Sequence, residues 1–138
     1  MTTKPDHRSE SQAQAQLDHI VELMKEREAV YNKEDDQKRT IDEIEEDIHN
    51  NALDISVRSD WHNPSSTENC YRELSEYRIL LCTGGPAVQI IGELDKHCQP
   101  DSARLQHQDW GTPWTDLGLS PEQQDTLLEY CQQFYFGE

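Results

Sequence analysis

The sequence predicts an α+β fold: a four-stranded antiparallel sheet (a meander), a C-terminal helix on one of its faces, and an N-terminal pair of acidic helices. Three observations carry this. Apolar residues recur at helical spacing before Asn51, the period changes to two after it, and two apolar runs flank Gly84-Gly85-Pro86.

Residues 1–8, `MTTKPDHR`, are polar and expected as a loose tail. A helical arm is expected over 9–51. Its first helix carries Leu17, Ile20, Val21, Met24 and Tyr31 on one stripe, with Glu22, Glu26 and Glu28 outside it. `NKEDDQK` interrupts the stripe. The second helix opens on Thr40 with Glu43 three residues on, the pattern of a capping box. Ile41, Ile44 and Ile48 form its apolar edge, and Asn50 and Asn51 are expected to stop it.

The α+β domain is expected over 52–138. `ALDISVR` alternates Leu53, Ile55 and Val57 against Asp54, Ser56 and Arg58, a strand with one wet face. `SDWHNPSSTENC` reads as a loop. The runs 77–82 and 87–94 read as the two central strands of a hairpin. `ARLQHQDW` alternates Ala103, Leu105 and His107 against polar residues, a fourth strand, and `GTPWTDLGL` reads as irregular. Ser120-Pro121 starts the last helix, with Ser at the cap and Pro at its first position. Leu127, Leu128, Cys131 and either Phe134 or Tyr135 give that helix its buried side.

Composition bounds the chemistry. Leu, Ile, Val and Phe number 26 of 138 residues, close to the disordered class for so charged a chain. Eighteen of them, with all three Trp, lie after residue 50, where a core can be built. The net charge of −16 excludes a general phosphate-backbone binder and an anionic-membrane binder, so no direct nucleic-acid or membrane contact is expected. No leader-like apolar run occupies the first thirty residues and no stretch is long enough to span a bilayer, so a cytoplasmic protein is expected. The four cysteines are scattered, which fits reduced thiols.

Candidate chemistry is thin. His62, Cys70, Cys82, His97, Cys98, His107 and Cys131 lack the close ligand pairs of a structural zinc site, so no metal and no cofactor are expected. Cys82 followed by Gly84 and Gly85, with His97 or His107 as base and Asp109 nearby, is the one arrangement that suggests a small enzyme. Asp109 and Asp116 near Trp110 and Trp114 are the one local match to a carbohydrate site. Packing and turn roles are the favoured account of all of these, and no catalytic residue is assigned. A calcium loop is only weakly suggested, because `EDD` is followed by Gln and Lys rather than by a Gly turn.

The acidic surface stands out. Glu34, Asp35, Asp36, Asp42, Glu43, Glu45, Glu46 and Asp47 crowd into fourteen positions. Glu46 and Asp47 sit toward the C-terminal, negative end of the second helix, so local helix electrostatics disfavours them. Carboxylates three and four residues apart on a helix lie about 5–6 Å apart at Cβ, a scale comparable with the phosphates of a nucleic-acid strand. A non-enzymatic binding protein is therefore expected, with a basic, nucleic-acid-handling protein as partner. A solubility role for the charge and a homodimer through the partial heptad in 17–48 are the alternatives.

The segments `YRILLCTGGPAVQIIGEL`, `ARLQHQDWGTPW` and `QFYFGE` resemble a group of small proteins from phages, prophages and bacterial genomes. The resemblance covers roughly 53–138, outside the acidic helices. It implies no activity and no site residue. It does imply a mobile-element origin, which raises the expectation of a protein that interferes with a host system, such as an inhibitor of a host defence protein.

Overall fold

A computed structural model of the chain describes residues 8–32, 40–59, 74–83, 86–109 and 111–136. The element order is α1 (Arg8–Tyr31), α2 (Ile41–Asn51), β1 (Asp54–Ser59), β2 (Leu74–Cys82), β3 (Ala87–Glu93), β4 (Arg104–Gln108), β5 (Thr115–Asp116) and α3 (Pro121–Cys131). The strands form one antiparallel sheet in the order β1-β2-β3-β4-β5. The α+β meander is therefore present, with one strand more than the four expected. The extra strand is a two-residue pairing of Thr115 and Asp116 with His107 and Gln106 inside the stretch read as irregular.

Alternation decides which face is covered. The row Ile55, Ile79, Ile90 and Leu105 runs across four strands on the helix side. The adjacent row on the other face is Asp54, Leu80, Gln89, Gln106 and Asp116. Helix α1 crosses β3 and β4 and also packs against α2 and α3. Leu17, Ile20 and Leu23 of α1, Ile44 and Ile48 of α2, and Leu127, Tyr130 and Cys131 of α3 join Ile79, Ile90 and Leu105 in one core. Each such side chain contributes about 1.5–3 kcal/mol by leaving water. The helices of the N-terminal arm thus contribute a layer to this core.

Several local expectations hold in detail. Thr40 and Glu43 form a reciprocal capping box, and Ser120 with Gln123 forms another ahead of Pro121. Others shift. Tyr31 is exposed instead of closing the α1 stripe, and Leu23 is buried in addition. Helix α2 ends because Ala52 is extended, with no residue near it in the left-handed conformation. Helix α3 ends at Cys131, after which Phe134 and Phe136 turn into the core and Tyr135 faces out. Tyr130, fully buried, was not among the expected core residues.

Two backbone features hold the hairpins. The β3–β4 connection turns through Cys98 at φ 60°, and both His97 N–H and Gln99 N–H donate to Asp95 Oδ1. Gly92 lies against the Ser102 backbone and the Tyr77 ring, so closely that any Cβ there overlaps both. Among the described residues no helix is long and apolar enough to cross a membrane.

Candidate interaction surface

Helix α2 positions the acids. At about 100° per residue, Asp42, Glu43, Glu46 and Asp47 fill an arc of about 140°, opposite the stripe of Ile41, Ile44 and Ile48. All four are exposed, while Ile44 and Ile48 are fully buried against the core. The burial of two isoleucines sets the helix rotation, and that rotation turns the four acids outward as one ridge.

Three contacts brace the helix. Glu45, outside the arc and beside the apolar stripe, faces Arg27 of α1, with Oε1 4.0 Å from Nε. His49 Nδ1 lies 2.7 Å from the Glu45 carbonyl oxygen and Nε2 lies 3.0 Å from that of Gln133. The neutral ring donates to one of these oxygens and the imidazolium to both. Asn51 Nδ2 donates to the Tyr130 hydroxyl at 3.1 Å. Glu43 and Glu45 also have local duties: Glu43 Oε1 accepts from Thr40 N–H at 3.3 Å and from Thr40 Oγ1 at 3.1 Å, and Glu45 is turned toward Arg27. Glu34, Asp35 and Asp36 lie outside the described residues.

The expected cysteine arrangement takes a different form. The Cys82 thiol donates to the Pro86 carbonyl at 3.9 Å, and burial raises its pKa, which disfavours the thiolate that attack requires. Cys82 is paired with Val88, and His107 with Val88 on the far side, so a whole strand separates thiol and imidazole. Gly84, Gly85, His62 and Cys70 lie outside the described residues. Burial pushes the Cys131 thiol up to about 12, as it packs beside Tyr77 in the core. Among the described residues no three of His, Cys, Asp and Glu gather as metal ligands.

His107 and Asp109 instead meet Ser9. The Ser9 hydroxyl donates to Asp109 Oδ2 at 2.7 Å and lies 2.9 Å from His107 Nδ1, while Ser9 N–H donates to Asp109 Oδ1 at 3.0 Å. These are the three residue types of a hydrolase triad, wired differently. In a triad the imidazole stands between hydroxyl and carboxylate. Here the hydroxyl stands between the other two and is 1% exposed, so substrate cannot reach it. The carboxylate satisfies a free N–H at the start of α1, and the group ties that helix to β4. Nothing in local spacing pointed to Ser9, which is 100 residues from Asp109.

The open face of the sheet bears a cavity of about 380 Å³, with Arg78, Gln89, Ile91 and Trp114 in its wall. Gln89 is 6% exposed and donates to Gln106, which donates to Asp116, forming an amide ladder across three strands. Asp116 thus serves the ladder and an ion pair with Arg104, and Asp109 serves Ser9. Trp110 lies outside the described residues. The cavity contains none of the α2 acids.

The chain matches no protein-family profile, no curated protein and no solved structure.

Proposed function

We propose that this chain is a non-enzymatic acidic binding module whose α2 ridge seats in a cationic groove of a protein partner. One observation carries the reading. Asp42, Glu43, Glu46 and Asp47 stand exposed on one arc of a helix whose opposite side is locked into the core. Mutual repulsion on such a ridge costs stability, and a fixed array of like charge attracts an oppositely charged groove over long range. A groove shaped for nucleic acid already carries cations at that spacing, so a nucleic-acid-handling protein is the proposed partner. The mobile-element origin implied by the resemblance extends the proposal to an inhibitor that mimics nucleic acid against a host defence protein.

The test is affinity capture from bacterial lysate by the wild type and by a variant with all four ridge acids changed to Lys. The expected result is a basic protein held by the wild type, released by high salt or by added duplex DNA, and lost with the variant. Equal capture by the variant would overturn the proposal.

A further inference from the structure

We propose that the free edge of β1 pairs antiparallel with β1 of a second copy of this chain, in the register that places Ser56 opposite its own symmetry mate. Among the described residues β1 is the outer strand of the sheet, with β2 on one side and no strand on the other. An outer strand presents unpaired N–H and C=O groups, and proteins usually protect it with Pro, inward charge or brevity. Strand β1 has six residues, no Pro, and its two charges, Asp54 and Arg58, on the face opposite its apolar row. Leu53 just ahead of it, with Ile55 and Val57 within it, is 60%, 40% and 39% exposed. This row points to the helix side, yet α1 packs chiefly on β3 and β4, and the row keeps this exposure.

The order Asp-Ile-Ser-Val-Arg makes the strand complementary to itself. Antiparallel pairing preserves the faces only when residues of the same parity meet. Centred on Ser56, a twofold axis sets Asp54 against Arg58 of the second copy and Ile55 against Val57, each pair occurring twice. Centring on Ile55 or Val57 leaves Asp54 facing Ser56 or running past the strand end. The side chains have capacity for the extra contacts. Asp54 accepts at Oδ2 from the Ser56 hydroxyl at 3.1 Å. Arg58 uses Nη2 on Glu76 at 2.7 Å, leaving other guanidinium donors for a second carboxylate.

One strand pair is small beside the roughly 1,200–2,000 Å² of a stable interface, so the dimer is weak and depends on concentration. Two copies of charge −16 also repel, and salt at about 0.15 M screens that repulsion beyond about 8 Å. The inference does not rest on the α2 ridge, whose acids the following variants leave intact.

Sedimentation velocity from micromolar to millimolar concentration tests it, with circular dichroism confirming each variant's fold. The wild type is expected to shift from monomer toward dimer. Asp54→Arg alone and Arg58→Asp alone each set like charges opposite one another and are expected to weaken the dimer by about tenfold. The double variant Asp54→Arg/Arg58→Asp restores both attractions and is expected to recover the wild-type behaviour. Val57→Lys, on the apolar row, is a second disruptor that leaves the Glu76 pair alone. A wild type that stays monomeric at millimolar concentration, or a double variant no better than the single ones, overturns the proposal.

Discussion

Arg27 Nε lies 4.0 Å from Glu45 Oε1, and the same guanidinium places Nη1 3.9 Å from Glu129 Oε1 and stacks 4.8 Å from the centre of the Tyr31 ring. One cation on α1 therefore faces a carboxylate on α2, another on α3 and an aromatic ring. Among the described residues the buried Nε has no hydrogen-bond partner; the 4.0 Å separation from Glu45 allows charge attraction without a hydrogen bond. The side chain gains mainly from packing its stem and from long-range attraction. Arg27→Met, which keeps the stem, is expected to cost less than about 1 kcal/mol. Arg27→Ala is expected to cost about 1–2 kcal/mol by denaturant unfolding, through lost packing and the lost ring contact. Equal costs for the two would show that charge, not packing, carries the residue.

Asp109 caps α1 from 100 residues away. Asp109→Ala leaves the Ser9 N–H without this acceptor and the buried hydroxyl with His107 Nδ1 alone, and is expected to cost about 1–3 kcal/mol. Ser9→Ala removes the hydroxyl from both partners and is expected to cost about 1 kcal/mol. Neither change should alter hydrolysis of an activated ester by the folded protein, because the hydroxyl is closed to substrate. A loss of such hydrolysis in Ser9→Ala at unchanged stability would reinstate a nucleophilic role.

Gly92→Ala should be among the costly single-methyl changes. Its Cβ overlaps the Ser102 carbonyl and the Tyr77 ring, and Tyr77 itself is pinned by donating to the Ser102 carbonyl at 2.6 Å. Overpacking against backbone is expected to cost about 1–3 kcal/mol or more, read as a lower denaturant midpoint. A midpoint unchanged from wild type would mean that the β3–β4 hairpin relaxes freely there.

Acid should weaken the β3–β4 connection through Asp95. Hydrogen bonds from Gln99 N–H first and His97 N–H second hold this carboxylate below its ordinary pKa, against an opposing desolvation. A lowered folded-state pKa means stabilisation that is present above the unfolded value and lost as pH falls through the folded one. Asp95→Ala is therefore expected to be less stable than wild type at neutral pH, with the gap closing below about pH 4. A gap that stays constant with pH would assign the effect to shape rather than charge.

What could be read in the sequence was local. Thr40 with Glu43, and Ser120 with Pro121, announced their helices because a cap and its helix lie within four residues of each other. The apolar runs around Gly84-Gly85-Pro86 announced the β2–β3 pair because each residue in them serves one strand period. The fifth strand was hidden, since two residues carry no period. Tyr130 lies within α3, three residues after Leu127, so its helical phase already implied burial; Phe134 and Tyr135 were not separable because α3 ends at Cys131, beyond which helical phase stops predicting direction. The Ser9–Asp109 contact was invisible, because neither residue's neighbours imply the other. For the ridge, the Ile44 and Ile48 spacing already implied an outward set of acids. That Glu45 turns toward Arg27, and that His49 and Asn51 brace the helix against α3, depended on tertiary packing.

The most direct test of the outward carboxylate ridge is a nuclear magnetic resonance titration of the labelled chain with an arginine-rich peptide. A fixed ridge predicts that backbone shifts concentrate on 42–47 and that changing Asp42, Glu43, Glu46 and Asp47 to Lys abolishes them. Shifts spread evenly over the acids of the whole chain, including Glu122, Asp125 and Glu129 of α3, would contradict it.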